Sequence, residues 1–355
     1  MSALADRLAA RTLELVDIPS ESRSEEAVRA HVRALVPDAF APETVLEDAA
    51  LYARPRRPDT PLVVLAGHYD TVPAQGNLPG RIDAGAVHGL GATDMKGGLA
   101  VALELVRDLA QQPPATLDVA LLVFGKEELP QEWNPLPELF DRSRLVHEAA
   151  LVILLEPTDG AVHAGCLGNL NATLTFHGTS GHSARPWLAE NAIERAIEGL
   201  APVIAHERRE AVVAGLTFWE VLSVTRLNAG IADNVIPDRA VAHLNFRFAP
   251  DRDEAGAVEH LREIVPRDAE LAVLGTAPSG AVAAGSPYVA ALVEAGAGDL
   301  EPKQAWTNVA DFTSRGIDAV NFGPGHPRYA HRRDELVEID GLVHAYRVLD
   351  RFLRG

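Results

Sequence analysis

The chain has 355 residues, enough for a large core and for two domains. Hydrophobic residues make up 47% and charged residues 23%, as in ordinary globular proteins, while a formal net charge of −18 argues against nucleic acid and against anionic membrane surfaces. Cys166 is the single cysteine, so an internal disulfide and a cysteine-rich metal site are excluded, and any metal must be held by histidine and carboxylate.

The start, MSALADRLAARTLELVD, carries acids inside its apolar stretch and has no signal-peptide core, and no apolar run approaches ~20 residues. A cytoplasmic protein with no membrane partner is the expectation. The segment reads as an amphipathic helix with Leu4, Leu8, Leu13 and Val16 on one face. Ser22-x-x-Glu25 has the pattern of a capping box opening a second helix, whose apolar face carries Val28, Val32 and Leu35, with Pro37 beyond its end. Continuous apolar runs at 62–66, 117–124 and 150–155 read as buried strands, and 96–109 as a helix with Leu99, Leu103 and Val106 on one face. Strands alternating with helices predict an α/β sheet covered on both faces.

The middle changes character. Residues 169–174 and 235–248 alternate as half-exposed strands do, with Val241, Leu244, Phe246 and Phe248 on one face of the second run. Helices are expected at 191–204 and 253–265, which together predict a small α+β insert. The Gly/Ala/Pro-rich stretch 275–287 reads as a hinge. A helix at 288–295, a strand at 319–322 and a last helix carrying Leu342, Val343, Tyr346, Leu349 and Phe352 restore the α/β pattern.

Polar residues gather at the strand ends. His68 and Asp70 follow the first run, Glu127 and Glu128 the second, and Glu156 ends the third. Open α/β sheets bind ligands outside the carboxyl ends of their strands, and here three strands deliver acids or histidine to that edge. Taken alone, His68 is more often a structural histidine than a ligand. Asp70 two residues on shifts the balance, because a ligating imidazole usually donates its other N–H to a carboxylate. Asp94, in GLGATDMKGG, sits where a helix N-cap would be, yet a carboxylate can also bridge two cations ~3.5–4 Å apart. Glu127 and Glu128 can divide the work, one binding metal and the other taking a proton from water. His331, in AHRRDE, is by itself an ordinary loop histidine, and His31, His163, His177 and His243 read as structural or surface residues.

The set HYDTV at His68–Val72, GLGATDMKGG, GKEE at Gly125–Glu128, LLEPT at Leu154–Thr158, GHSARP at Gly181–Pro186 and GPGHPRYAH at Gly323–His331 resembles the zinc aminoacylase/carboxypeptidase family. GCLGNL, TSGHSARPWLAENAI, DNVIPDRAVAHLNFRFAPD and WTNVADFTSRGIDAVNFGPG extend the likeness over nearly the whole chain, toward the branch that removes a succinyl group from a diamino acid. The resemblance implies a discontinuous metallopeptidase-like catalytic domain, 1–168 and 277–355, with a mixed sheet flanked by helices, and an inserted α+β lid and dimerisation domain, 169–276. It implies two divalent metal ions, zinc with cobalt or manganese as alternatives: His68 and Glu156 on one, Glu128 and His331 on the other, Asp94 bridging. Asp70 would orient His68, and Glu127 would be general base and acid. His182 would reach the partner's active site in a homodimer and help stabilise the oxyanion. Arg247, Asn234, Arg185 and Thr307 would contact a small N-acyl amino acid substrate.

Some positions depart from the family pattern. Members that bind a succinyl carboxylate through an arginine pair carry it where this chain has Cys166 and Leu167, which leaves the acyl anchor open. Leu90 stands where arginine is frequent, and Lys126 precedes the glutamate pair where Asp is common. Three other readings stay in play: another N-acyl-amino-acid deacylase, such as one acting on N-acetylornithine, or a carboxypeptidase; a non-catalytic metal-binding dimer; and an α/β nucleotide-binding protein. Glu127 speaks against the second, since a structural site needs no free base. The lack of GxGxxG in a strand–helix context speaks against the third.

Overall fold

The computed structural model describes residues 2–355. The chain forms two compact units. One comprises the residues up to Ala164 together with 283–301 and 311–355; the other comprises 165–282 and 302–310.

Among the described residues, the first unit is built on an eight-stranded sheet in the order Ala41–Val45, Ala49–Ala53, Asp118–Phe124, Leu62–His68, Ala149–Leu154, Ala319–Asn321, Val162–Cys166, Leu300–Lys303. Leu62–His68 runs parallel to both Asp118–Phe124 and Ala149–Leu154, whereas Ala49–Ala53 pairs antiparallel with both its neighbours and Val162–Cys166 with Ala319–Asn321. The result is a mixed sheet flanked by helices. Every residue of Leu62–His68 and Asp118–Phe124 is buried, which is why these strands carry unbroken apolar runs instead of alternation. Helices Ala3–Val16, Gly97–Gln111 and Ile339–Arg354 pack on one another. The first buries Leu8, Thr12, Leu15 and Val16, so Leu15 lies at the centre of its inner face and Leu4 and Leu13, expected there, lie at its margins.

The capping box is not formed. Glu25 stands at the N-cap of Glu26–Leu35 with no side-chain cap bond. Ser22 instead donates its hydroxyl to Asp70 Oδ2 at 2.7 Å, and Glu25 accepts the Lys126 N–H at 3.3 Å. Tertiary partners have taken both side chains from the local motif.

Two glycines set the helix–sheet spacing. A Cβ on Gly98 would lie 2.0 Å from the Leu155 carbonyl oxygen, and one on Gly323 would lie 2.5 Å from it. Only glycine lets the Gly97–Gln111 helix and the GPG turn both close on the strand end that carries Glu156.

The second unit holds a five-stranded antiparallel sheet, ordered Arg209–Val213, Leu216–Ala229, Arg239–Phe248, Gly168–His177, Glu270–Ala277. Leu170, Leu174, Phe176, Leu244 and Phe246 alternate along two strands and bury against helices Ala192–Ile204 and Glu254–Ile264. Asn191 and Asp253 cap those helices through their side chains. The alternating run 235–248 divides into a short strand, Val235–Ile236, and a long one, Arg239–Phe248. The stretch 275–287 contributes its start to the strand Glu270–Ala277, and its remainder leads into the helix Pro287–Glu294.

Candidate metal centre

The parallel register places His68 opposite Phe124, and Ala66 opposite Leu154. Two strands therefore end level and the third ends two residues short of them, so the residues at and just past the three ends, Glu156 included, converge on one edge. His68 and Asp70 are fully buried. His68 Nδ1 lies 3.3 Å from Asp70 Oδ1, and 3.1 Å from the Asp70 carbonyl. The same carboxylate accepts the backbone N–H groups of Glu127 and Glu128, each at 3.1 Å. Asp70 thus fixes both the imidazole and the turn bearing the glutamate pair.

Asp94 lies between the two histidines. Its Oδ1 is 3.3 Å from His68 Nε2 and its Oδ2 is 3.4 Å from His331 Nε2. His68 Nε2 also lies 3.8 Å from Glu156 Oε1 and 4.0 Å from Glu127 Oε2, while His331 Nε2 lies 2.9 Å from Glu128 Oε1. His68, Asp94 and Glu128 offer ligand atoms all within 4.8 Å of one another, a group that could hold a metal ion.

Asp94 is not an N-cap. It has φ −120° and ψ 94°, outside the helical region, in a turn that precedes Gly97–Gln111. That turn is fastened by Glu335, whose carboxylate accepts the N–H groups of Gly91, Thr93 and Asp94, each at 3.0 Å. Glu335 is buried, and its burial lifts the carboxyl to about 7. The sequence pattern does not reveal Glu335, because its partners are backbone groups more than 240 positions away. Nor does it reveal Ser22, which binds Asp70, or Lys96, which is buried with Nζ donating to the Ile18 carbonyl at 2.9 Å and which burial pulls down to about 7.

The electrostatics follow from burial and crowding. Burial pushes the Glu127 carboxyl well above the ordinary glutamate range; His68 opposes this, and the carboxylates of Glu156, Glu128 and Asp94 add to the rise. Burial alone would raise Asp94 too, but hydrogen bonds from His331 and His68 outweigh it and hold that carboxyl below its usual value. His331 is lifted to about 10 by its bonds to Asp94 and Glu128. Five carboxylates surround two imidazoles, and two imidazolium protons cannot balance them. Divalent cations compete for the same lone pairs and fit this donor set, which holds only nitrogen and oxygen. Thr158 and Gly323 close the edge reciprocally: the Thr158 hydroxyl donates to the Gly323 carbonyl at 3.2 Å and accepts the Gly323 N–H at 3.1 Å.

The remaining candidates lie in the second unit. His182 ends the strand Gly181–His182, which pairs with Val235–Ile236. Its Nδ1 accepts the Ala184 N–H at 3.1 Å, and the ring is exposed. The Ser183 N–H donates to the Asn234 carbonyl at 3.0 Å and the Arg185 N–H to that of His182 at 2.8 Å, so these four residues share one corner. Arg247 is half-buried on the strand Arg239–Phe248. Thr307 is buried, and its carbonyl accepts from Cys166 Sγ at 3.6 Å. Leu167 is buried with Ala211, Phe218 and Ala249 in an apolar cluster. His31 and His177 pair with Glu14 and Glu270 at 2.8 and 2.9 Å, as structural or surface histidines do.

The family model for peptidase family M20/M25/M40 matches residues 64–355. A Mycobacterium tuberculosis protein provisionally named succinyl-diaminopimelate desuccinylase DapE is 40% identical over 346 residues, 97% of each chain. The succinyl-diaminopimelate desuccinylase of Corynebacterium glutamicum is 37% identical over 96% of this chain and 95% of its own. The crystal structure of the aminopeptidase PepT from Bacillus cereus superposes with a TM-score of 0.80 at 18% identity, covering 99% of this chain and 98% of that one, a likeness of fold.

Proposed function

The chain belongs to peptidase family M20/M25/M40, and from that premise we propose that this metal-dependent amide hydrolase converts N-succinyl-LL-2,6-diaminopimelate to succinate and LL-2,6-diaminopimelate. Asp94 carries the chemical reading: its two oxygens face two different imidazoles at 3.3 and 3.4 Å, the arrangement a bridging carboxylate needs. The acyl group and the amino acid rest on the two desuccinylase-named relatives.

In this reading His68 and Glu156 would hold one ion and Glu128 and His331 the other, with Asp94 placed to serve both. Zinc suits the nitrogen and oxygen donors. When bound, the ions supply Lewis acidity toward the scissile carbonyl and lower the pKa of water toward ~7. Asp70 keeps His68 in the tautomer with Nε2 free for metal. Glu127, whose Oε2 lies 4.0 Å from His68 Nε2, takes a proton from the attacking water and returns it to the leaving amine. His182, from a second copy of the chain, donates to the developing oxyanion. Arg247 receives a substrate carboxylate, with Asn234, Arg185 and Thr307 as further contacts.

We read the active form as a cytoplasmic homodimer formed through the second unit. Ile197 and Ile204 on the helix Ala192–Ile204, Leu227 on the strand Leu216–Ala229 and Ile231 just past that strand are 63%, 71%, 47% and 88% exposed, a large apolar exposure for one unit.

One observation favours a second substrate. Leu167 lies in an apolar cluster, so the position of an arginine pair offers no charge to a succinyl carboxylate. An uncharged acyl group, as in N-acetylornithine, needs none. The deciding experiment compares succinate release from N-succinyl-LL-diaminopimelate with acetate release from N-acetylornithine, before and after chelation. Metal-dependent succinate release supports the desuccinylase; acetate release alone sinks it and leaves the amide hydrolase standing.

A further inference from the structure

We propose that Asn245, itself held by Asn169 and Asn171, is a positioning residue that locks the Arg247 guanidinium to meet one carboxylate end-on. The inference rests on the reading of Arg247 as a carboxylate contact. Strand register sets Arg247 opposite Asn169 and Asn245 opposite Asn171. The intervening Leu170, Leu244 and Phe246 bury against the helices, so the four polar side chains share the sheet's other face.

The hydrogen bonds then follow from one fact, that arginine only donates. Arg247 Nε lies 3.0 Å from Asn245 Oδ1, which must be the acceptor. The Asn245 amide nitrogen therefore points the other way and needs acceptors of its own. It finds two, Asn169 Oδ1 at 2.8 Å and Asn171 Oδ1 at 2.9 Å. An amide with both donor hydrogens and its oxygen engaged cannot flip without losing all three bonds.

With Nε occupied, the side-on edge of the guanidinium, Nε with one Nη, is closed to ligands. The Nη1–Nη2 end remains. Among the described residues no carboxylate pairs with Arg247, whereas Glu220 takes both Arg209 and Arg252 in the same unit. A half-buried guanidinium held rigidly by a neutral amide keeps its full charge for an incoming anion, and its side-chain entropy has already been lost. A carboxylate in the place of Asn245 would have fixed the same rotamer but cancelled that charge.

The test is a double-mutant cycle on the zinc-loaded protein with N-succinyl-LL-diaminopimelate. Asn245→Leu is expected to raise KM about tenfold, the scale of one misplaced charge-assisted hydrogen bond, with kcat within about twofold. In an Arg247→Leu background it should add nothing. Asn245→Asp should be worse than Asn245→Leu, because it pairs with Arg247 and turns an oxygen toward two others. Independent effects of the two leucine substitutions, or a fall in kcat at constant KM, would overturn the proposal. Should Asn245→Leu fail to fold, Asn171→Ala, which removes one of the two acceptors, replaces it with an expected threefold rise in KM and the same criterion in the Arg247→Leu background. Failure of the function reading looks different: wild-type protein then releases no succinate. The cycle is in that event run on N-acetylornithine, whose α-carboxylate keeps the same outcomes decisive.

Discussion

Glu127 and Glu128 are neighbours in sequence with opposite assignments, and substitution separates them. Glu127→Gln should lower kcat by roughly 10²–10⁴ while the protein still retains metal after dialysis, because in the proposed mechanism the side chain serves proton transfer and not ligation. Glu128→Gln should lose metal along with activity. Equal metal loss in both would reverse the assignment. His68, Asp70, Glu127, Glu128 and Glu156 stand out in the sequence because they follow apolar runs, and Asp94 because it sits in a glycine-rich turn, whereas His331 by itself is a loop histidine and is drawn in only by the family resemblance. Glu335 was not, since a carboxylate that receives three backbone N–H groups leaves no local signature. Ser22 and Glu25 misled for the converse reason: their spacing matches a local motif, and Asp70 and Lys126 claim them instead.

At the scale of elements, burial decides what a pattern reveals. The strands Leu62–His68 and Asp118–Phe124 are buried on both faces and read plainly as apolar runs. The hairpin of Arg209–Val213 and Leu216–Ala229 was missed because it is largely half-exposed and mixes Glu, Thr and Arg with its apolar residues. Gly98→Ala tests the contact between the Gly97–Gln111 helix and the Leu155 strand end. Its Cβ would fall 2.0 Å from a backbone oxygen, so we expect a stability loss of about 1–3 kcal/mol and reduced metal affinity, measured by thermal unfolding and metal titration. In the second unit, Glu220 is buried between Arg209 and Arg252. Burial alone would raise its carboxyl, but hydrogen bonds from the two arginines win and lower it. Its stabilisation is accordingly complete above the unfolded carboxyl pKa of ~4.3 and disappears as pH falls through the depressed folded value. Glu220→Gln should flatten the acid side of the stability–pH curve relative to wild type; an unchanged slope below pH 4 would show that the buried cluster does not govern it.

For the whole molecule, metal and assembly are the variables to control. Saturating metal at about 100 times Kd should stabilise the first unit by about 2.7 kcal/mol, a rise in Tm of roughly 5–10 °C that chelation abolishes. If the exposed isoleucines pack between copies, Ile197→Glu with Ile204→Glu should shift the mass in sedimentation equilibrium from dimer to monomer. Activity should fall with it, since His182 would no longer be supplied by a partner. An active monomer would mean that His182 is not shared. No helix among the described residues is long and apolar enough to cross a membrane.

The interleaved order of the two units also bears on synthesis. The second unit is complete once residue 310 has been made, and its sheet and both helices form one core without anything later in the chain. The first unit must wait for Ala319–Asn321 to join its sheet, and the metal cluster for His331. On the ribosome, therefore, the inserted unit can fold while the earlier strands still lack a central neighbour, and the full ligand cluster can assemble only after His331 has been made. A chain released after residue 310 should show a protease-resistant core within 165–310 and bind no metal pair, while its exposed N-terminal strands make it a target for degradation.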